Sequence, residues 1–176
     1  MRRFITLGTI ALIVAAGLTQ WRRVKELGRQ VLSRRTTEEI SVSTEENKAL
    51  VQRSWEISNP ENLDEVYPPD VVWHMPEQDL SGIEEAKQYA STFFEALPDV
   101  SISVEDLLAD GDKVASRVRF RGTHQGETEE FGPPTGRQVE LEGITIHRIE
   151  GGKIVEEWER YDNLGLLQQL GRAPQQ

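Results

Sequence analysis

One carboxylate, Asp162, and two imidazoles, His124 and His147, are the side chains whose positions suggest proton chemistry. Asp162 ends a strand-like run, W-E-R-Y-D from Trp158, and a short apolar stretch, N-L-G-L-L-Q-Q-L, follows at once. A carboxylate held at an apolar pocket has its pKa raised by desolvation and can remove or return a proton near neutral pH. An imidazole beside it can polarise a carbonyl or stabilise an enolate oxygen. Such a pair suits carbon–carbon bond formation next to carbonyls, with no cofactor and no metal. Each residue also has a plainer reading. Asp162 could simply cap a helix over Asn163–Leu170, His124 could bond within its glycine-flanked loop, and His147 could be an ordinary sheet residue.

The elements that must position these groups follow from periodicity. Ser43 or Thr44 opens a helix to about Ile57, with Leu50, Val51 and Trp55 on one stripe. Asn59-Pro60 stops it and starts a second short helix to Val66. Val71–Met75 reads as a short strand. Ser81 and Glu84 form a capping box for a helix to Leu97, whose apolar face includes Ile83, Ala86, Ala90, Phe93 and Phe94. The period then changes from near 3.6 to 2. Strands begin at Val100, at Asp112 after an Asp110-Gly111 turn, at Gln138 after a Gly/Pro loop, and at Lys153 after Gly151-Gly152. Helices followed by four long antiparallel strands predict an α+β domain, a curved antiparallel or mixed sheet around a long helix with an open pocket.

Register can be anticipated as well. If Gly151-Gly152 is a two-residue loop, Glu150 faces Lys153. Asp162 then lies opposite Leu141, Trp158 opposite Thr145, and His147 opposite Glu156, all on one face. His124 falls at the same rim, roughly 10 Å from Asp162, whereas regular pairing leaves His147 roughly 20 Å away, a distance that a bulge at Gly143 or Gly152 would change. Trp158, Phe120 and Trp73 are expected to wall the pocket, and His74 either lines it or packs beneath the helix.

Composition narrows the classes. The absence of cysteine excludes disulfides, thiolate metal sites and cysteine nucleophiles. The formal charge of −10 is uneven. Residues 1–35 hold eight of the 20 Lys and Arg and one of the 30 acids, leaving 12 basic against 29 acidic residues beyond them. Such a body repels nucleic-acid phosphates. The three histidines lack helical metal-ligand spacing, and neither a glycine-rich phosphate loop nor a nucleophile elbow is present. From Phe4 to Trp21 no residue is charged, and basic residues flank the run, more heavily on its carboxyl side. Residues 1–21 therefore read as a membrane anchor or signal segment that leaves the domain cytoplasmic, and the alternatives are a cleaved export signal or a soluble cytoplasmic chain. Residues 22–43 read as a basic-to-polar linker, 44–171 as the domain, and 172–176 as a tail.

Several ordered motifs resemble the SnoaL-like polyketide cyclases (ester cyclases), over about residues 45–171. They are Leu97-Pro98-Asp99, A-D-G-D-K-V at 109–114, G-T-H-Q-G-E at 122–127 and P-P-T-G-R at 133–137. G-I-T-I-H-R-I at 143–149, G-K-I-V-E-E-W at 152–158 and D-N-L-G-L-L-Q-Q-L-G at 162–171 complete them. The resemblance implies the cone-shaped fold of the nuclear-transport-factor-2-like superfamily and a homodimer through the sheet. It also implies a carboxylate near the chain end acting as acid/base in an aldol closure of a polyketide ester. By position Asp162 is similar to that carboxylate, and His147 or its neighbour Arg148 falls where the family uses a histidine. The expected function is cyclase or isomerase chemistry on a small carbonyl-rich molecule; the alternative is a non-catalytic binding domain on a membrane tether. For the tether, full-length protein should partition with membranes, whereas a chain starting at Glu38 should remain soluble. Both remaining in the soluble fraction would refute the anchor.

Overall fold

The computed structural model describes residues 25–30, 33, 43–129 and 131–172. The chain divides into two compact units, Met1–Val42 and Ser43–Gln176. In the first, residues 25–30 are helical and exposed; the apolar run from Phe4 to Trp21 lies outside the described residues. Among the described residues, no helix is long and apolar enough to cross a membrane.

The second unit is the predicted α+β domain. It opens with helix α1 (43–55), whose Leu50 and Val51 are buried. A 3-10 turn at Pro60–Glu65 follows, capped where the Asn59 carboxamide accepts the Glu61 N–H at 3.1 Å. Strands β1 (Val72–His74) and β2 (Asp79–Ser81) form a small hairpin before α2 (Ile83–Ala96). Four longer strands come next: β3 (Ser101–Asp110), β4 (Lys113–Thr123), β5 (Gln138–Glu150) and β6 (Lys153–Tyr161). The eight-residue helix α3 (Asn163–Leu170) closes the domain.

All six strands make one sheet in the order β2-β1-β6-β5-β4-β3. It is mixed, because β1 lies parallel to β6 while the other pairs are antiparallel. β2 is too short and polar to signal itself in the sequence. It also moves the start of α2: Ser81 belongs to β2, Gly82 is the N-cap, and no side chain caps the helix. The Glu85 carboxylate instead accepts the Ser81 N–H at 2.7 Å, so the expected capping box with Glu84 is not formed.

Side chains alternate strictly along β5, where Val139, Leu141, Gly143, Thr145, His147 and Ile149 are buried and the intervening residues largely exposed. Two apolar clusters fill the concave side. One joins Leu50, Val51, Leu63, Val66, Val71 and Ile154; the other joins Leu97, Phe131, Val139, Leu166 and Leu170.

A bulge sets the register that matters. Glu150 pairs with Lys153 and Ile149 with Ile154, as a two-residue loop requires, but Arg148 then pairs with Glu156. Val155 is the extra residue, and every later pairing is displaced by one. His147 therefore faces Glu157 rather than Glu156, and Trp158 faces Ile146 rather than Thr145. A one-residue slip turns each side chain to the opposite face of the sheet. Beyond Val155, Glu157, Glu159 and Tyr161 point into the domain while Glu156, Trp158 and Arg160 lie on the other face.

The β4–β5 loop is tied to the end of α2. The Gln125 and Gly126 N–H groups donate to the Ala96 carbonyl at 3.0 and 3.2 Å. A Cβ on Gly126 would sit 1.8 Å from the Glu95 carbonyl oxygen, which is backbone and cannot swing aside. Gly126→Ala should therefore cost about 1–3 kcal/mol, the range for overpacking a tight contact. Chemical denaturation measures it, and an unchanged midpoint would show that the loop does not need this close approach.

Candidate active site

A cavity of about 110 Å³ lies between the concave face of the sheet and the helices. Trp55 from α1, Tyr67, Trp73 from β1, Tyr89 and Phe93 from α2, and Phe120 from β4 supply its aromatic walls. Trp55 and Phe120 meet edge to face at 5.8 Å between centroids, and Phe93 meets Phe120 at 5.6 Å. Such walls exclude water and favour flat, apolar ligands.

Two carboxyl groups enter this apolar space, Glu157 and Glu159, both from β6. Glu157 is 1% exposed. Its Oε1 accepts the Tyr67 hydroxyl at 3.0 Å and lies 2.5 Å from His147 Nδ1. His147 is fully buried, and its other ring nitrogen lies 2.9 Å from Ser116 Oγ. Burial foremost, and then the charge of Glu157, push the Tyr67 phenol well above its ordinary value.

Glu159 is different. It keeps part of its surface because it lines the cavity, and its side chain forms no hydrogen bond among the described residues. Loss of hydration, with the Glu157 charge as the second cause, pushes its carboxyl up to about 8. A group so shifted is a neutral acid through most of the neutral range and a base above it. Directly across the ladder is Thr145, buried and also on the cavity wall. Its hydroxyl sits on the same face as the carboxyl, within the reach typical of opposed residues. At another point of the wall the Tyr89 and Tyr161 hydroxyls are 3.1 Å apart, and Tyr161 donates to Glu77 at 3.3 Å.

The residues singled out by sequence separate into three groups. Phe120 and Trp73 line the cavity. His147 lies behind it, bonded to Glu157. The rest lie elsewhere. Asp162 is exposed and caps α3, accepting the Gly165 N–H at 2.8 Å. The aspartate expected to look into the pocket is thus a helix cap, because the Val155 bulge and the end of β6 place it outside. His124 is fully buried, but against Phe131 and Thr135 at the base of the β4–β5 loop, and it does not line the cavity. Since Nδ1 accepts the Thr135 N–H at 3.3 Å, the neutral ring carries its proton on Nε2, which meets no hydrogen-bond partner within 3.5 Å among the described residues. Burial chiefly, and Arg172 next, hold its pKa below the usual imidazole value. The expected pairing of His124 with Asp162 as a catalytic couple is not formed.

Trp158, His74 and Arg148 occupy the convex face. Trp158 is there because of the bulge, and His74 follows because it pairs with Trp158 across the parallel β1–β6 ladder. Their rings stack 5.4 Å apart. His74 bridges Asp79 at 2.9 Å and Glu156 at 3.0 Å, bonds that raise its pKa, the one to Glu156 most. Arg148 reaches Glu156 at 2.9 Å and Glu150 at 3.3 Å. Glu159, Glu157, Tyr67 and Thr145 were missed by sequence reasoning. Glu157 and Glu159 stand in a run of alternating charge, E-E-W-E-R, that reads as a solvated strand; only the bulge reveals which carboxylates face inward.

Glu159 also makes stability depend on pH. Its folded pKa lies above the unfolded value of 4.5, so its stabilising contribution is complete below that value and is lost as pH rises toward about 8. Glu159→Gln should therefore flatten the fall in urea midpoint between about pH 5 and about pH 8. Parallel pH profiles for the two proteins would remove Glu159 as the group responsible.

The SnoaL-like polyketide cyclase family matches residues 48–170. No curated protein matches the chain. Among solved structures, a candidate SnoaL-like polyketide cyclase from Jannaschia sp. CCS1 shares the fold. Its TM-score is 0.68 at 23% identity, over 75% of this chain and 95% of that one. IdmH, a candidate polyketide cyclase from Streptomyces antibioticus, is 31% identical over 73% of this chain and 98% of its own, with a TM-score of 0.61. AclR, a candidate hydroxylase from Streptomyces galilaeus, is 29% identical over 75% and 89%, with a TM-score of 0.65.

Proposed function

The chain belongs to the SnoaL-like polyketide cyclase family, and on that footing we propose that its cavity performs cofactor-free acid–base chemistry on a small, largely apolar carbonyl compound. Glu159 is the acid/base. As carboxylate it removes a proton from the carbon next to a carbonyl; the resulting enolate either takes the proton back at another carbon or attacks a second carbonyl of the same molecule. The first outcome is isomerisation and the second is intramolecular aldol closure. Glu159, now protonated, returns the proton in either case.

The observation that supports this reading is Glu159 itself: a carboxyl with no hydrogen-bond partner among the described residues, on an aromatic-walled cavity, with its pKa moved to about 8. Near that value a carboxyl both gives and takes protons at working pH, which an ordinary carboxylate does not. Thr145 is the nearest hydroxyl across the ladder and is placed to donate to the developing enolate oxygen. Trp55, Phe93 and Phe120 hold the carbon skeleton.

Deuterium exchange at the α-carbon of small cyclic ketones, followed by NMR, is a direct assay. Exchange should rise with pH to a plateau above about 8, as the base form of Glu159 accumulates. Glu159→Gln should slow it by about 10²-fold or more, whereas Asp162→Asn should leave it near the native rate. Equal rates in native protein and Glu159→Gln would defeat the assignment and favour a binding domain that uses the same cavity.

A further inference from the structure

Behind Glu159 runs a chain of buried polar side chains that proton transfer at the cavity does not itself employ. Trp55 Nε1–H donates to Ser116 Oγ at 3.2 Å, and Ser116 Oγ meets His147 Nε2 at 2.9 Å. His147 Nδ1 meets Glu157 Oε1 at 2.5 Å, and the same oxygen accepts the Tyr67 hydroxyl at 3.0 Å. Ser116 and Glu157 are each 1% exposed and His147 is fully buried. The chain crosses the sheet from β4 through β5 to β6, where His147 and Glu157 are directly opposed. One arrangement of protons satisfies every member: Ser116 gives its hydroxyl hydrogen to Nε2, and the imidazole keeps its own on Nδ1, facing Glu157.

Serine, histidine and acid in this order have the connectivity of a nucleophilic triad. Ser116 cannot serve as one, because its oxygen is already engaged by Trp55 and neither it nor His147 reaches the cavity wall. What the chain does is hold the Glu157 carboxyl. Glu157 and Glu159 are two residues apart on one strand face, about 6.6 Å along the backbone. Two carboxyls so close in an apolar setting share a proton unequally, and hydrogen bonds decide which keeps the charge. The Glu157 carboxyl meets two partners, and among the described residues the Glu159 carboxyl meets none.

We propose that His147 is a positioning residue for the cavity acid: by donating to Glu157 it fixes the negative charge there and leaves the exchangeable proton on Glu159, where a ligand meets it. The proposal rests on Glu159 being the acid/base. Tyr67 from the segment after the 3-10 turn, Tyr89 from α2, Tyr161 and Arg160 from β6 and His147 from β5 are the other titratable or charged groups around the pair, and Arg160 donates to the Glu159 main-chain carbonyl. Loss of hydration first, and the Glu157 charge second, favour the proton on Glu159.

Two measurements test this without any substrate. In the native protein, long-range 1H–15N spectra should show the His147 proton on Nδ1, in a strong hydrogen bond. A bare Nδ1 would overturn the proposal even if no variant folded. In protein carrying 13C-labelled glutamate side chains, the Glu159 signal should titrate near 8. His147→Leu should lower that midpoint by about one pH unit, a tenfold change in proton affinity, as the proton moves toward Glu157. His147→Asn, whose amide N–H can stand where Nδ1–H stands, should restore it. A midpoint unmoved in a folded His147→Leu protein, or not restored by asparagine, would overturn the assignment. Loss of the exchange activity prediction alone would leave this titration intact, so the two failures are distinguishable.

Discussion

Two carboxyl groups on neighbouring inward positions of one strand cannot both stay charged once aromatic rings have removed their water. That constraint organises the domain's interior. The charge rests where donors meet it, at Glu157, with His147 and Tyr67 converging on a single oxygen. The proton rests at Glu159, whose carboxyl meets no donor among the described residues. Burial of an acid is ordinarily a liability of several kcal/mol. Here its cost is distributed, since one member is bonded on two sides and the other is neutralised.

The scaffold supplies this arrangement through alternation and crossing. Alternation along β4, β5 and β6 brings Ser116, Thr145, His147, Glu157 and Glu159 to one concave face. Crossing elements then close over it, with α1 contributing Trp55 and α2 contributing Tyr89 and Phe93. The parallel strand β1 places Trp73 beside Glu157. The convex face carries a different chemistry, a ladder of Arg117, Arg119 and Arg121 against Asp106, Glu140 and Glu142, with Ile144 and Ile146 exposed between. These surface pairs add little stability individually.

Much of the architecture was legible in the sequence. The change of period near Val100, the Asp110-Gly111 and Gly151-Gly152 turns and the apolar stripe of α2 are local signals, and each corresponds to an observed element. The hairpin of β1 and β2 was only half visible, because three polar-flanked residues carry no period. The functional interior was less legible for a single reason. Face assignment on β6 depends on counting residues from the turn, and the extra residue at Val155 upsets the count without leaving any glycine or proline to announce it. Trp158 and Asp162 were therefore read as inward, which left Glu157 and Glu159 on the opposite face. Asp162 retains a role that its type and place also suggested, closing the first turn of α3.

The Val155 bulge has an implication for how such a domain can vary through descent. Most changes of chain length in a surface turn are absorbed where they occur, and the bulge extends that tolerance into the strand: without Val155, Ile154 would join Glu156 directly and the pairings of Arg148 with Glu156 and His147 with Glu157 would stand. Glu157 and Glu159 would stay in the hollow. The active face is thus held by what β6 meets on β5 rather than by its distance from the turn, and relatives that differ by one residue there can keep the same interior.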